Sequence, residues 1–374
     1  MSSALPSDMF TQLPVLAAWH ASRLLLDIPR TCGYLPAPAT LVRPSHAPAP
    51  TSPPKAAMTS TIAVLFVHGV EIKDPHYADN AIKLLRAEYA RACRGMEAAE
   101  LEIESAFWIP VVEPGLDKIV RATFGRGFAG WAQRLDGLVH RINNGSYLAM
   151  VPVVLSGLLG RIPGMPKAHW PTLRWAVTYF LGDVIAYQTA EGSDANYDAI
   201  HARLDDALAT LAERAPDAPL CVIAHSLGTV VASDYFYDLQ NAKPKQLKKS
   251  ARGSSALQRG ETLTWFYTLG SPIALWMVRY PEFDSPIKLP GRKRSAAARK
   301  AAQWINFHDP DDIVAYPLRT LNKHYAEAVD RDQAVSVGPP LLGDTPVSHV
   351  AYLNSRKVMR PIAQRLAMFS RPTE

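Results

Sequence analysis

The stretch PLCVIAHSLGTVVA, residues 219–232, decides the fold of this chain. An apolar run typical of a buried strand leads into Ser226, and an apolar run typical of a helix follows it. A serine on a sharp strand-to-helix turn needs small neighbours two positions away on either side, because the strand and the helix cross closely there. Those neighbours are Ala224 and Gly228. The stretch therefore predicts an exposed nucleophile on a tight turn, whereas a serine that only caps a helix would have no distant partners.

Strands and helices alternate along most of the chain. Apolar and β-branched runs predict strands at 61–69, 100–108 and 218–226, with further strands and their loops at 261–272 and 303–315. Amphipathic spacing predicts helices at 76–94, 195–215 and 227–240. This alternation indicates an α/β protein with a mostly parallel central sheet and helices on both faces.

Two segments depart from this alternation. Residues 1–57 hold seven prolines between positions 36 and 54 and lack the basic start and apolar core of a secretory signal. They predict a disordered leader, so that either Met58 is the native start or the leader is dispensable, and the catalytic domain spans 58–374. Residues 110–190 form an insert with an uncharged run at 147–160, which is too short to span a bilayer. The insert is either a helical cap that could touch a membrane, or a packing element.

Composition excludes several classes of protein. With 374 residues, 48% of them hydrophobic and 20% charged, the chain is long enough for one large domain or two smaller ones. Cys32, Cys93 and Cys221 are widely spaced, which argues against a disulfide scaffold and a cysteine zinc site and fits a reducing compartment. The formal charge is +6, and its basic clusters at 243–249 and 291–300 lack interleaved aromatic residues. We expect solvated loops there and no nucleic-acid partner, with attraction to anionic lipid as the alternative.

A nucleophilic serine needs an acid, and one apolar strand leads into a loop with Asp309, Asp311 and Asp312. Acids at the carboxyl end of a later strand suit a catalytic triad. Asp312 is preferred because Ile313 and Val314 are expected to anchor its loop, and Asp309 is the runner-up. The alternative is that the three aspartates only form a solvent-exposed turn. A cation site is disfavoured because EF-hand spacing is absent.

The base is predicted from chain order. His349 follows the acid and precedes a predicted helix, so that Ser226, Asp312 and His349 reproduce the order serine, acid, histidine. His308 and His324 are rivals for this role.

Two backbone N–H groups are candidates for an oxyanion hole. The first strand ends in His68-Gly69, and the glycine permits a turn that aims the Val70 N–H inward. The N–H of Leu227, at the start of the helix after Ser226, is the second candidate donor.

Taken together, these motifs resemble the α/β-hydrolase superfamily, particularly its lipase-like and esterase-like bacterial members. The resemblance covers roughly 62–352 and is carried by FVHGV (66–70), VIAHSLGTVVA (222–232), TLGSP (268–272), HDPDDIVA (308–315) and SHVAYL (348–353). It implies an α/β-hydrolase fold and a serine hydrolase without a metal or an organic cofactor. Ala224, in place of the commoner glycine, and the large insert before Ser226 depart from the family pattern.

The expected activity is hydrolysis of carboxylic esters through an acyl-enzyme, with lipid-like or other apolar acyl esters as substrates. The apolar preference rests on the insert and on Trp131, Trp170, Trp175 and Trp276, each of which could equally be a core residue. Alternatives are a thioesterase or amidase using the same triad, and an idle hydrolase fold that binds lipid or a partner protein. The expected location is cytoplasmic or peripheral to a membrane, and the oligomeric state stays open.

Overall fold

The computed structural model describes residues 61–70, 72–95, 97–116, 118, 181–188, 195–241, 255–278, 285–292, 296–338 and 346–369. Outside the described residues lie the predicted leader 1–57, most of the insert 110–190 with Trp131, Trp170 and Trp175, and the basic cluster 243–249.

The centre of the fold is a sheet of six parallel strands, in the order β2-β1-β3-β4-β5-β6. The strands are β1 (Thr61–Val67), β2 (Glu100–Ala106), β3 (Leu220–His225), β4 (Leu263–Leu269), β5 (Gln303–His308) and β6 (Arg331–Ala334). The predicted α/β class with a parallel sheet is confirmed. The sequence did not predict β6, because its residues Arg-Asp-Gln-Ala contain no apolar run.

Several α-helices accompany the sheet, besides helical residues at 113–116 and 181–187. They are α1 (Asp79–Ala92), α2 (Ala195–Arg214), α3 (Leu227–Asn241), α4 (Ile273–Trp276), α5 (Ala296–Ala301), α6 (Lys323–Ala328) and α7 (Arg356–Phe369). Short 3-10 helices lie at Ile109–Val111, Pro346–Val350 and Tyr352–Asn354. None of the described helices combines the length and the apolar character that crossing a bilayer requires.

The strand order places a reversal between β1 and β3. The chain leaves β1 for β2 on one side and then returns to β3 on the other side. Because parallel crossovers are right-handed, α1 and α2 lie on opposite faces of the sheet. Accordingly, α1 packs against α7, and α2 packs against α3. The loops that follow β1 and β3 diverge at this reversal, which is where open parallel sheets form their binding crevice.

The sheet is buried in the core. Every residue of β3 and β4 is buried, which explains why these strands are continuous apolar runs rather than alternating patterns. Trp265 and Trp304 are fully buried, and Trp276 is 8% exposed and belongs to the same hydrophobic core. Trp276 is therefore a packing residue, as the alternative reading of the tryptophans expected.

A cluster of tyrosines and acids joins helical residues 181–187 to α2 and α3. The Tyr187 O–H donates to Asp234 at 2.9 Å, and the Tyr187 hydroxyl lies 3.2 Å from His201 Nε2. Nearby, the Tyr197 O–H donates to Asp238 at 3.0 Å. Burial raises the pKa of Asp234 to about 7, and the hydrogen bond from Tyr187 only partly opposes this rise. The end of the insert is thus fastened to the domain through a carboxyl group that titrates near neutrality.

The raised pKa of Asp234 predicts a pH-dependent stability. Between its ordinary pKa of 3.8 and about 7, this carboxyl binds its proton more tightly in the folded protein than in the unfolded chain. The free energy of unfolding contributed by Asp234 therefore falls as the pH rises through that window. The Asp234→Asn variant cannot ionise, so urea unfolding should show a smaller loss of stability across this range than in the wild type.

The exposed Asp217 provides a matched control, and Asp217→Asn should keep the wild-type pH dependence. Parallel stability curves for the Asp234→Asn variant and the wild type would contradict this account of Asp234.

Candidate active site

Ser226 lies on the sharp turn between β3 and α3, as the sequence predicts. Its φ of 53° falls in the left-handed region, which costs a residue other than glycine about 1–3 kcal/mol. Backbone hydrogen bonds hold the turn: the Ser226 N–H donates to Leu269 O at 2.9 Å, and the Thr229 N–H donates to Ser226 O at 2.9 Å. The Thr229 hydroxyl also donates to Ser226 O at 2.7 Å. The strained conformation is therefore fixed by β4 on one side and by the first turn of α3 on the other.

Close approach of the backbone explains the glycines around this turn. A Cβ atom at Gly228 would lie 2.2 Å from the His68 carbonyl oxygen, and one at Gly69 would lie 2.4 Å from Ser226 Cβ. Both distances are too short for any side chain. The methyl group of Ala224 is fully buried in β3, so position 224 accepts one carbon atom more than the commoner glycine.

The three residues predicted as a triad come together in space. His349 Nε2 lies 2.7 Å from Ser226 Oγ, and His349 Nδ1 lies 2.8 Å from Asp312 Oδ2. A neutral imidazole with its proton on Nδ1 donates to the carboxylate and leaves Nε2 to accept from the serine hydroxyl. This is the arrangement that activates a serine for attack on a carbonyl carbon.

The hydroxyl of Ser226 is less accessible than the sequence led us to expect. Ser226 is only 1% exposed, whereas the His349 side chain is 14% exposed. The turn therefore directs the hydroxyl toward His349 rather than into open solvent. The pair is partly buried, so its hydrogen bond lies in a medium of lower dielectric than water and is stronger than it would be in water.

Asp312 is held by three donors. Besides His349, the Tyr352 O–H donates to its Oδ2 at 2.9 Å, and the Val314 N–H donates to its Oδ1 at 3.1 Å. Burial raises the pKa of Asp312, but the hydrogen bond and the charge of His349, with the hydrogen bonds from Val314 and Tyr352, together outweigh burial and leave the pKa below its usual range. Asp312 is therefore ionised near neutral pH, as an acid that orients an imidazole must be.

Asp309, the runner-up, has a different set of contacts. It is fully buried, and its carboxylate accepts hydrogen bonds from the backbone N–H groups of Val337 at 2.7 Å and Asp311 at 3.1 Å. Its own N–H donates to the Tyr352 hydroxyl at 2.7 Å. Asp309 thus shapes the loop, and Asp312 is the acid that contacts the histidine.

The sequence favoured Asp312, which does contact His349, but the reason for that preference was wrong. Ile313 was expected to anchor the loop, but it is 68% exposed. The carboxylate of Asp309 and the hydroxyl of Tyr352 hold the loop instead, through the hydrogen bonds given above. Among the described residues, no hydrogen bond joins either rival histidine, His308 or His324, to Ser226.

The proposed oxyanion donors flank Ser226. Leu227 begins α3, so its N–H has no acceptor within the helix, and the positive end of the helix dipole lies beside the serine. Within the described part of the chain, no acceptor is found for the N–H of Leu227 or of Val70. The assignment of this pair of N–H groups to an oxyanion hole stays a prediction.

His68 fixes the orientation of the Val70 peptide. The Trp108 N–H donates to His68 Nε2 at 3.1 Å, which leaves the ring proton on Nδ1 to donate to Gly69 O at 2.6 Å. Burial lowers the pKa of His68 to about 3, so the ring stays neutral. In a trans peptide the carbonyl and the N–H point in opposite directions. Because Gly69 O faces the His68 ring, the Val70 N–H is directed away from that ring.

Sequence reasoning missed Tyr352 and His225, which both contact the triad. Tyr352 lies three residues after His349, a spacing that brings two side chains to the same side of a tight helical turn. That spacing was the available signal. His225 immediately precedes Ser226, and its Nε2 lies 2.7 Å from the His349 carbonyl oxygen. Nothing in the local pattern indicates that contact.

No protein-family model matches this chain, and no curated protein matches it either. Among the described residues, no group of three or more histidine, cysteine, aspartate or glutamate side chains is arranged to hold a metal ion.

The close approach at Gly228 predicts a large effect of a single methyl group. Gly228→Ala should lower the free energy of unfolding by about 3 kcal/mol, because the methyl group meets the rigid carbonyl of His68. Gly115→Ala is the matched control, since a Cβ atom at Gly115 has no neighbour within 4 Å. Because Gly115 is an exposed helical residue, that control should keep the free energy of unfolding or raise it by up to about 1 kcal/mol in urea unfolding. Equal stabilities of the two variants would contradict the close packing of β1 against α3.

Proposed function

We propose that this protein is a serine hydrolase of the α/β-hydrolase fold that cleaves carboxylic esters with apolar acyl groups. The observation that carries this proposal is the continuous hydrogen-bonded chain from Ser226 Oγ through His349 to Asp312, with distances of 2.7 and 2.8 Å. The position of Ser226 after β3, beside the reversal in strand order, supports it further because ligands bind there in open parallel sheets.

Acylation follows from this geometry. His349 Nε2 takes the proton of Ser226 while Oγ forms a bond to the ester carbonyl carbon, and the carbonyl electron pair moves onto its oxygen. The N–H groups of Leu227 and Val70 donate to that oxyanion. The tetrahedral intermediate collapses as His349 gives the proton to the departing alcohol, which leaves the acyl group on Ser226.

Deacylation reverses the roles. His349 Nε2 takes a proton from water, the resulting hydroxide attacks the acyl carbon, and Ser226 regains the proton as the carboxylic acid leaves. In both halves His349 passes through its positively charged form. The carboxylate of Asp312 stabilises that form and keeps the neutral ring in the tautomer that can accept from Ser226.

Exposed apolar side chains support an apolar acyl group. Leu275 and Val278, which follow β4, are 42% and 85% exposed, and Ile313, which follows β5, is 68% exposed. The two loops are joined where the Tyr316 N–H donates to Ser271 O at 3.2 Å. Both loops leave the same edge of the sheet as Ser226. An acyl chain that reached this edge would remove apolar surface from water. Each Å² of apolar surface that is buried in this way favours binding by about 25 cal/mol.

Turnover of p-nitrophenyl esters by the full-length protein tests this function. The series runs from acetyl to dodecanoyl esters in a mild detergent, with matching thioester and amide substrates. We expect kcat/KM to be highest for esters and to rise from acetyl to longer acyl chains, because each methylene that leaves water adds about 0.8 kcal/mol. Ser226→Ala should lower kcat by about 10⁴-fold or more. Absence of turnover by the wild type, or turnover that survives Ser226→Ala, would refute the proposal.

Two aspartate variants separate the catalytic acid from the loop-forming one. Asp312→Asn should lower kcat by about 10⁴-fold, because an amide favours the wrong tautomer of His349. Asp309→Asn should lower the free energy of unfolding by about 1–3 kcal/mol through its buried hydrogen bonds to backbone N–H groups. The folded fraction of Asp309→Asn should still turn over ester within about tenfold of the wild type. The reverse ranking of the two kcat values would assign the acid to Asp309.

A further inference from the structure

We propose that His225 is a positioning residue for the catalytic base: its Nε2–H donates to the backbone carbonyl of His349 and holds the imidazole of His349 against Ser226. This inference rests on the proposed function and adds a residue to its machinery. His225 does not contact the reacting atoms, so it acts through His349.

The contact ties the base to the strand that carries the nucleophile. His225 is the last residue of β3, and its Nε2 lies 2.7 Å from the His349 carbonyl oxygen, 124 positions along the chain. A carbonyl can only accept, so Nε2 carries the ring proton. His349 is thereby held at three atoms: Nε2 by Ser226, Nδ1 by Asp312 and the carbonyl oxygen by His225. Two of these three partners, His225 and Ser226, are adjacent residues at the end of β3. The position of His349 relative to Ser226 is therefore fixed directly by this strand end.

His225 remains neutral beside a base that becomes charged. Burial, together with the nearby charge of His349, lowers the pKa of His225 to about 3, although the hydrogen bond to the His349 carbonyl and the charge of Asp312 oppose this shift. The two imidazole rings lie 5.1 Å apart. Two positive rings at this distance would repel, so a neutral donor holds His349 without disfavouring its protonated form. His225 therefore does not ionise in the pH range in which His349 acts as the base.

The other ring nitrogen argues against a pure packing role. His225 Nδ1 is buried and has no hydrogen-bond partner among the described residues. An unsatisfied buried polar atom costs about 1–3 kcal/mol, which an apolar side chain of similar size would not incur. The imidazole is thus a poor filler for this space. Its Nε2–H bond to His349 is the feature that an apolar residue could not supply.

His349 lies in the short 3-10 helix Pro346–Val350, not in a long regular element. Such a segment orients a side chain less firmly than a strand or a long helix does. Misplacement of a catalytic group by about 1 Å can cost about 10²-fold in rate. The bond from the rigid end of β3 therefore bears directly on the Ser226–His349 distance.

A pair of variants tests the donor. His225→Met keeps the length of the side chain without a donor, whereas His225→Gln keeps an N–H at the end of the side chain. In p-nitrophenyl ester turnover, His225→Met should lower kcat about 10²-fold with KM unchanged, because the group acts on the base and not on substrate binding. His225→Gln should recover most of this loss. The acidic limb of the kcat/KM pH profile should stay in place in both variants, since His225 does not titrate there.

The controls separate the outcomes. If wild-type protein does not turn over ester, the proposed function fails. If the wild type is active and His225→Met matches its kcat, the positioning role alone fails. The third outcome is that His225→Met and His225→Gln lose equal amounts of kcat, and that these losses parallel the decrease in their free energies of unfolding. That result would make His225 a structural residue only and would overturn the proposal.

A measurement on the wild type makes the test independent of variant folding. Nitrogen-15 NMR of the histidine rings should show His225 as a neutral Nε2–H tautomer that does not titrate between about pH 5 and 8. The peak is assigned by its absence from His225→Gln. A His225 ring that carries its proton on Nδ1, or that titrates in this range, would overturn the proposal.

Discussion

The close crossing of β1 and α3 beneath Ser226 is the constraint on which the rest of the site depends. Gly228 brings the first turn of α3 against the carbonyl of His68, and Gly69 brings the next loop against Ser226 itself. This contact bends the chain so sharply that Ser226 takes a left-handed backbone conformation. A strained residue of this kind persists only where its surroundings over-determine it. Here the hydrogen bonds to Leu269 and from Thr229 do so, and the serine hydroxyl consequently has one direction, toward His349.

The parallel sheet brings the remaining groups to the same place. Ser226 follows β3, Asp312 lies in the loop after β5, and Gly69 and Val70 follow β1, so all reach the carboxyl edge of the sheet. His349 arrives from a 3-10 helix and is held at its side chain by Ser226 and Asp312 and at its backbone by His225. A polar network built mainly from loop residues is thus attached to the ends of buried strands. The buried Asp309 and the hydroxyl of Tyr352 complete it by shaping the acid loop.

The features of the site that depend on neighbouring residues in the chain can be predicted from the sequence. The small residues around Ser226, the apolar run of β3 and the order of serine, acid and histidine were all readable, and they lead to three residues that the structure brings together. Asp312 was preferred because Ile313 was expected to anchor its loop, but Ile313 is exposed. Whether a loop residue is buried depends on what the loop packs against, and the sequence does not show this. Tyr352 and His225 act through contacts between residues that are distant in the chain. The four-residue strand β6 has no apolar signal and forms only because β5 offers a free edge.

The central claim is that Ser226 is an activated nucleophile, and a covalent adduct tests it most directly. Folded full-length protein is treated with a fluorophosphonate, so that an attacking oxygen displaces fluoride and keeps the phosphonyl group. The adduct is then located by peptide mass spectrometry. The account predicts a single adduct, on Ser226, which does not form after heat denaturation. A folded protein that acquires no adduct, or one that carries it on another residue, would contradict the claim.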